Sequence, residues 1–217
     1  MLFGGLFGSK EKREGKNDGV LHWARSAKKG TELAPAEPPE GLAIATVAGG
    51  CFWGLELAYQ RLPGVVKTSV GYTDGKNPSP TYEEVCGGYT GHTEAVQMYY
   101  NPDECTFESI LDEFFAKVDP TTLNRQGNDS GTQYRSVIFY HTEEQKAAAE
   151  KAVAAVNEQL KNGTFRIRGK KVETTIQPAT DYFLAEDYHQ QYLSKGGRFN
   201  RPQSAEKGSK DPIRCYG

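Results

Sequence analysis

A short apolar run, 42–48, ends at Gly49-Gly50 and gives way, after Cys51-Phe52-Trp53-Gly54, to apolar positions at helical spacing over 55–62. A change of period from two to 3.6 within so few residues hands a strand over to a helix, and commits the fold to packing helices on a sheet. Pro63-Gly64 closes the helix. Cys51 falls at its N-terminus, where unpaired backbone N–H groups and the positive end of the helix dipole favour thiolate, drawing a cysteine pKa from ~8.5 towards neutrality. A thiolate so placed is a nucleophile. Free cysteines are also among the most often buried residues, and Phe52 and Trp53 suit a core as well as a pocket. Position alone leaves catalysis and packing both open.

The alternation continues irregularly. Strands are expected over 65–72, 93–100, 136–140 and 172–176. Thr106 and Ser109 open a helix in which Phe107, Ile110, Leu111, Phe114, Phe115 and Val118 recur at i, i+3, i+4, i+7, i+8 spacing until Asp119-Pro120. Thr142 with Gln145 resembles a capping box for an alanine-rich helix reaching Leu160, closed by Asn162-Gly163. A polar helix is expected around 186–193. Interleaved in this order, the elements predict an α+β fold, a mixed β-sheet with flanking helices.

The 217 residues suit one catalytic domain, 41–200. Before it, 1–40 combines mixed charge with Pro35, Pro38 and Pro39 and suits a disordered extension; after it, 201–217 is expected to be a flexible tail. Residues 1–8 are too short and glycine-rich for a secretion signal, and the acidic residues of 9–40 argue against an organelle transit peptide. A cytoplasmic location is expected, with plastid import the alternative. Cys51, Cys86, Cys105 and Cys215 form no Cys-x-x-Cys pair, which argues against a zinc site or disulfide scaffold. A net charge of −2 and the lack of any run near the ~18–20 apolar residues of a membrane span point away from nucleic acid and membrane.

Tyr82, Glu94, Asp129 and Tyr134 sit on irregular segments or strand ends. A partly buried carboxyl with raised pKa supplies a proton, and tyrosine hydroxyls hydrogen-bond a developing negative oxygen. Taken singly, each suits packing, solvation or a turn equally well. A cysteine hydrolase or acyltransferase would need His92, His141 or His189 as base, and nothing near Cys51 selects one. Glu186-x-x-His189 is half of a di-iron signature without its second copy. Cys215, third from the end, suits either a merely exposed thiol or a flexible second thiol that condenses with an oxidised nucleophile, whereas Cys86 and Cys105 lie in patterned segments and read as structural. A redox sensor that is oxidised without turning over also fits.

Gly50 to Gly54, Pro80-Thr81-Tyr82-Glu83-Glu84-Val85-Cys86, Thr90-Gly91-His92-Thr93-Glu94, 119–129 and Gly131-Thr132-Gln133-Tyr134-Arg135-Ser136 together resemble the A-type peptide methionine sulfoxide reductases over 43–199. The closing 211–217 is similar to the tail of plant-type members. The resemblance implies an α+β fold around a mixed sheet and reduction of methionine-S-sulfoxide, free or in proteins, without a bound cofactor. It implies Cys51 as the nucleophile that becomes a sulfenic acid, and Glu94 as the acid. Tyr82 and Tyr134 would hold the sulfoxide oxygen, Asp129 would support the network, and Phe52 and Trp53 would pack on the S-methyl group. It further implies repair of oxidised proteins, with a Cys51–Cys215 disulfide opened by thioredoxin; a monomer is expected, although nothing in the sequence fixes the oligomeric state. Ser209 stands where such members carry an earlier tail cysteine, and Val118 where a histidine often precedes Asp-Pro.

Overall fold

The computed structural model describes residues 32–215. In chain order its elements are β1 (Ala43–Ala48), α1 (Phe52–Arg61), β2 (Val65–Thr73), α2 (Tyr82–Cys86), β3 (Thr93–Tyr100), α3 (Phe107–Lys117), β4 (Arg125–Gln126), β5 (Asp129–Ser130), β6 (Val137–Tyr140), α4 (Glu143–Lys161), β7 (Thr175–Pro178), β8 (Tyr182–Leu184) and α5 (Tyr192–Lys195). Six strands form one sheet in the order β7-β6-β1-β3-β2-β8. Only β6 and β7 pair in parallel; the other neighbours are antiparallel. The sheet is therefore mixed, as the interleaved pattern predicts.

Alternation along the strands separates two apolar clusters, because successive side chains point to opposite faces. Val47, Val96, Met98 and Ile138 join Phe52, Leu55, Tyr59 and the stripe of α3 in the larger cluster. Ala48, Ala95, Val137 and Phe139 face a smaller one with Tyr182 and Leu184. The α3 stripe is buried as its spacing requires, and Thr106 caps the helix by accepting from the Ser109 N–H at 3.2 Å. Thr142 likewise accepts from the Gln145 N–H. The Gln145 side chain does not complete a reciprocal box: it accepts from the His141 N–H and donates to the Ile44 carbonyl, tying α4 to β1. Val118 is buried against Gly49, where a Cβ would lie 2.5 Å from its Cγ2.

The first helix starts at Phe52, with Cys51 at its N-terminus as expected. Several other local expectations need correction. The strand expected over 172–176 is β7, 175–178, and β8 follows it unforeseen. No continuous helix runs over 186–193. Gln191 has φ +51°, a left-handed conformation that breaks a helix, and only the single turn of α5 follows. Its polar side chains turn inward: the Gln190 amide accepts from the Val70 N–H and donates to the Val70 carbonyl, replacing a strand partner at the edge of β2. Of the N-terminal extension, 1–31 lies outside the described residues, while Leu33 bridges Phe183 and the Ala34 N–H donates to the Tyr182 carbonyl. The tail, expected to be flexible, is bonded along α1 through its described residues. Among the described residues no helix is long and apolar enough to cross a membrane.

Candidate active site

Cys51 is the N-cap of α1, held there by a turn that only glycine enters easily. Gly50 has φ +80°, and a Cβ on it would lie 2.6 Å from Gln126 Cβ. Gln126 is itself clamped, accepting from the Asp119 N–H and donating to the Asp119 carbonyl, so the β4–β5 hairpin is fastened over the turn. Asp129 opens β5 opposite Gln126. The β1–β3 register sets Val47 opposite Val96, which brings Glu94 level with the Gly49-Gly50 turn. There Glu94, 2% exposed, accepts a 3.0 Å hydrogen bond from the Phe52 N–H, one of the unpaired donors of the first helical turn.

Burial raises the Glu94 carboxyl to about 8; the Phe52 bond opposes this and the Asp129 charge adds to it. The carboxyl is therefore mainly protonated at pH 7. Cys51 departs from the sequence expectation of a lowered pKa. Burial pushes its thiol well above the ordinary value, and the charges of Glu94, Cys215 and Asp129 push the same way, against the Trp53 N–H. The helix terminus is present, but desolvation outweighs it. Burial also raises both tyrosine hydroxyls, so they remain neutral donors: Tyr82, hydrogen-bonded to the Cys86 thiol, and Tyr134, within electrostatic reach of Glu94, Asp129 and Cys51. Tyr82 begins α2, set by a capping box in which Thr81 accepts from the Glu84 N–H and the Glu84 carboxylate accepts from the Thr81 N–H.

Phe52, Trp53, Tyr82 and His189 close an aromatic wall, with ring centroids 5.2 Å from Phe52 to His189, 5.5 Å from Trp53 to His189 and 4.4 Å from Tyr82 to His189. Tyr192 stacks on Trp53 at 3.9 Å. The wall is pinned by groups that residue-by-residue reading misses. Trp53 Nε1–H donates to His189 Nδ1 at 3.1 Å, which leaves the ring proton on Nε2, 3.9 Å from Glu186 Oε2. Glu186 accepts from the Tyr72 hydroxyl at 2.8 Å and from the Tyr82 N–H at 2.9 Å. The Glu-x-x-His spacing is the visible signal, and discarding it as half a metal site hides this structural use.

The histidines serve elsewhere. His92 Nε2 donates to the Asn77 carbonyl, His141 bonds Thr46, and burial lowers both His141 and His189 to about 4. Among the described residues no histidine is hydrogen-bonded to Cys51. Cys105 is buried as expected, but Cys86 is exposed rather than packed. Cys51 and Cys215 line one cavity of about 260 Å³ with Asp129, Gln126 and Ile213.

A thiol beside a buried neutral carboxyl, two tyrosine hydroxyls and an aromatic wall suits transfer of oxygen from a small sulfoxide to sulfur. A profile described as peptide methionine sulfoxide reductase matches residues 43–212. The chain is 57% identical over 180 residues, 83% of its length and 67% of the relative's, to peptide methionine sulfoxide reductase A4, chloroplastic, of Arabidopsis thaliana. It is 53% identical over 184 residues to peptide methionine sulfoxide reductase A2-1 of Oryza sativa subsp. japonica, covering 85% and 91% of the two chains. The solved methionine sulfoxide reductase A of Corynebacterium diphtheriae superposes with a TM-score of 0.63 at 38% identity, over 75% of this chain and 78% of that one. Sequence, fold and site agree: the chain belongs to the A-type peptide methionine sulfoxide reductase family, whose members reduce methionine-S-sulfoxide.

Proposed function

We propose that the chain reduces methionine-S-sulfoxide with Cys51 as nucleophile and Glu94 as acid. The observation that carries this reading is the buried Glu94 carboxyl fixed by the Phe52 N–H, next in the chain to Cys51. The Cys51 sulfur attacks the sulfoxide sulfur while Glu94 gives its proton to the oxygen and takes up the proton of the thiol. The S–O bond to methionine breaks as oxygen passes to Cys51, leaving Cys51–SOH, methionine and a protonated Glu94. Tyr82 and Tyr134 donate to the oxygen as charge develops, a role in which preorganised donors are most effective. Asp129 supports these groups electrostatically. The methyl group rests on Phe52 and Trp53, so the opposite epimer would turn its oxygen to the aromatic wall and leave the donors unpaired.

Cys215, in the same cavity as Cys51, then resolves the sulfenic acid as an intramolecular disulfide, which thioredoxin opens by thiol–disulfide exchange. Among the described residues no histidine is bonded to Cys51, which weighs against the hydrolase reading. The test is consumption of resolved S and R epimers of a blocked methionine sulfoxide with dithiothreitol, comparing wild type with Cys51→Ser. Loss of the S epimer alone, abolished by the substitution, is expected; equal turnover of both epimers would defeat the assignment of the two walls. The reaction needs a reducing compartment, and we assign the cytoplasm; import into plastids of a reporter fused to residues 1–40 would reverse that assignment.

A further inference from the structure

The tail carrying Cys215 is bound in a specific way. The Arg61 guanidinium, at the last turn of α1, donates through Nε to the Ser204 carbonyl at 2.8 Å and through Nη1 to the Asp211 carbonyl at 2.6 Å. The Gly208 N–H donates back to the Arg61 carbonyl at 2.8 Å. Arg61 is buried, so these bonds are shielded from water. Nearer the end, the Gln203 amide accepts from the Arg214 N–H at 2.9 Å and donates to the Arg214 carbonyl at 2.7 Å. The strap so formed ends with the Cys215 sulfur over Gly54, where a Cβ would lie 2.6 Å from Sγ. Gly54 is three residues beyond Cys51, the same face of the helix one turn along, about 5 Å away.

We propose that Arg61 and Gly54 are positioning residues for regeneration: Arg61 fastens the tail to α1 before any oxidation, and the bare backbone at Gly54 admits the Cys215 sulfur beside Cys51. The inference rests on the reading of Cys215 as the resolving thiol. In the step served, the Cys215 sulfur displaces the hydroxyl of Cys51–SOH. An S–S bond forms, the S–O bond breaks, and the oxygen leaves as water with the thiol proton. Cys215 is oxidised as Cys51 is reduced, so no outside electrons are needed.

Reduced full-length enzyme is mixed with one equivalent of blocked methionine-S-sulfoxide. Methionine release and loss of free thiols are followed separately by rapid quench and alkylation. Arg61→Ala and Gly54→Ala should each release methionine at the wild-type rate and S-epimer preference while forming the disulfide roughly tenfold or more slowly. An unchanged methionine burst also certifies folding, which a merely structural effect would not leave intact. Cys215→Ser should release methionine and accumulate dimedone-reactive sulfenic acid. Wild-type thiol loss in both positioning variants, with sulfenic acid still trapped in Cys215→Ser, would overturn the positioning roles alone. Wild-type thiol loss in Cys215→Ser would instead overturn the resolving role on which they rest.

Discussion

Replacing Glu94 by Gln separates proton donation from architecture. The amide keeps a carbonyl oxygen for the Phe52 N–H, which the wild-type carboxyl engages at 3.0 Å, so the start of α1 stays in place. The exchangeable proton is lost. General acid catalysis contributes typically about 10²–10⁴ in rate, so the single-turnover release of methionine should fall by at least about a hundredfold at pH 7. The wild-type profile follows from a carboxyl raised to about 8 by burial. Protonated and ionised forms stand at about ten to one at pH 7 and about one to ten at pH 9. The wild-type rate should therefore drop about tenfold over that interval, and the gap to Glu94→Gln should close to about tenfold at pH 9. The variant should lack this alkaline limb. Rapid-quench assays at saturating S epimer between pH 6 and 9.5 provide the measurement. A wild-type rate that rises through pH 8 would make the carboxylate the working form, taking the Cys51 proton first, and would refute the acid assignment.

Trp53→Phe removes the N–H accepted by His189 Nδ1 at 3.1 Å. An orphaned buried acceptor costs about 1–3 kcal/mol, so KM for the S epimer should rise at least about fivefold, with weaker discrimination against the R epimer in steady-state assays; unchanged selectivity would remove the hydrogen bond from substrate positioning. Glu186→Leu leaves the Tyr72 hydroxyl and Tyr82 N–H without their acceptor and should destabilise the fold by about 2–5 kcal/mol in urea titration; an unshifted midpoint would mean the two donors find other partners. Burial raises Glu56 from its ordinary 4.5 to about 7, against hydrogen bonds from Thr68 and Gln191. Because the folded state holds this proton more tightly, its contribution is complete below pH 4.5 and disappears as pH rises through about 7, a change on the order of 3 kcal/mol. Compared by urea titration from pH 4.5 to 8, the stability difference between wild type and Glu56→Gln should fall by about this amount as pH rises, because the raised Glu94 and the lowered His141 and His189 titrate in both proteins and cancel from the difference.

Periodicity makes a helix legible when apolar burial decides its existence. The α3 stripe predicts both the helix and its buried face, because every apolar position falls on one side. The segment 186–193 defeats the same reasoning because its elements are decided by polar side chains bonding distant backbone. Gln190 satisfies Val70 at 120 residues' separation, and Glu56 accepts from the Gln191 N–H across 135. No window of neighbouring residues contains both members of such a pair. β7 is misplaced for a related reason: its residues are half-buried or exposed, so no alternation marks its limits.

The site divides along the same line. Gly50 to Gly54 is readable locally, because a strand-to-helix turn exposes one thiol beside free N–H groups. The protonation of that thiol is not. It depends on desolvation and on a carboxyl brought from β3, and the combined effect opposes the helix terminus. The local motif thus picks out the proposed nucleophile, while the distant partners set its charge. A neutral thiol beside a neutral acid is also chemically consistent: two ionised groups in so small a buried space would repel, whereas this pair can enter the reaction by exchanging protons with the substrate oxygen. What looks like a failed activation of Cys51 has the same cause that keeps Glu94 supplied with its proton, the burial of both groups.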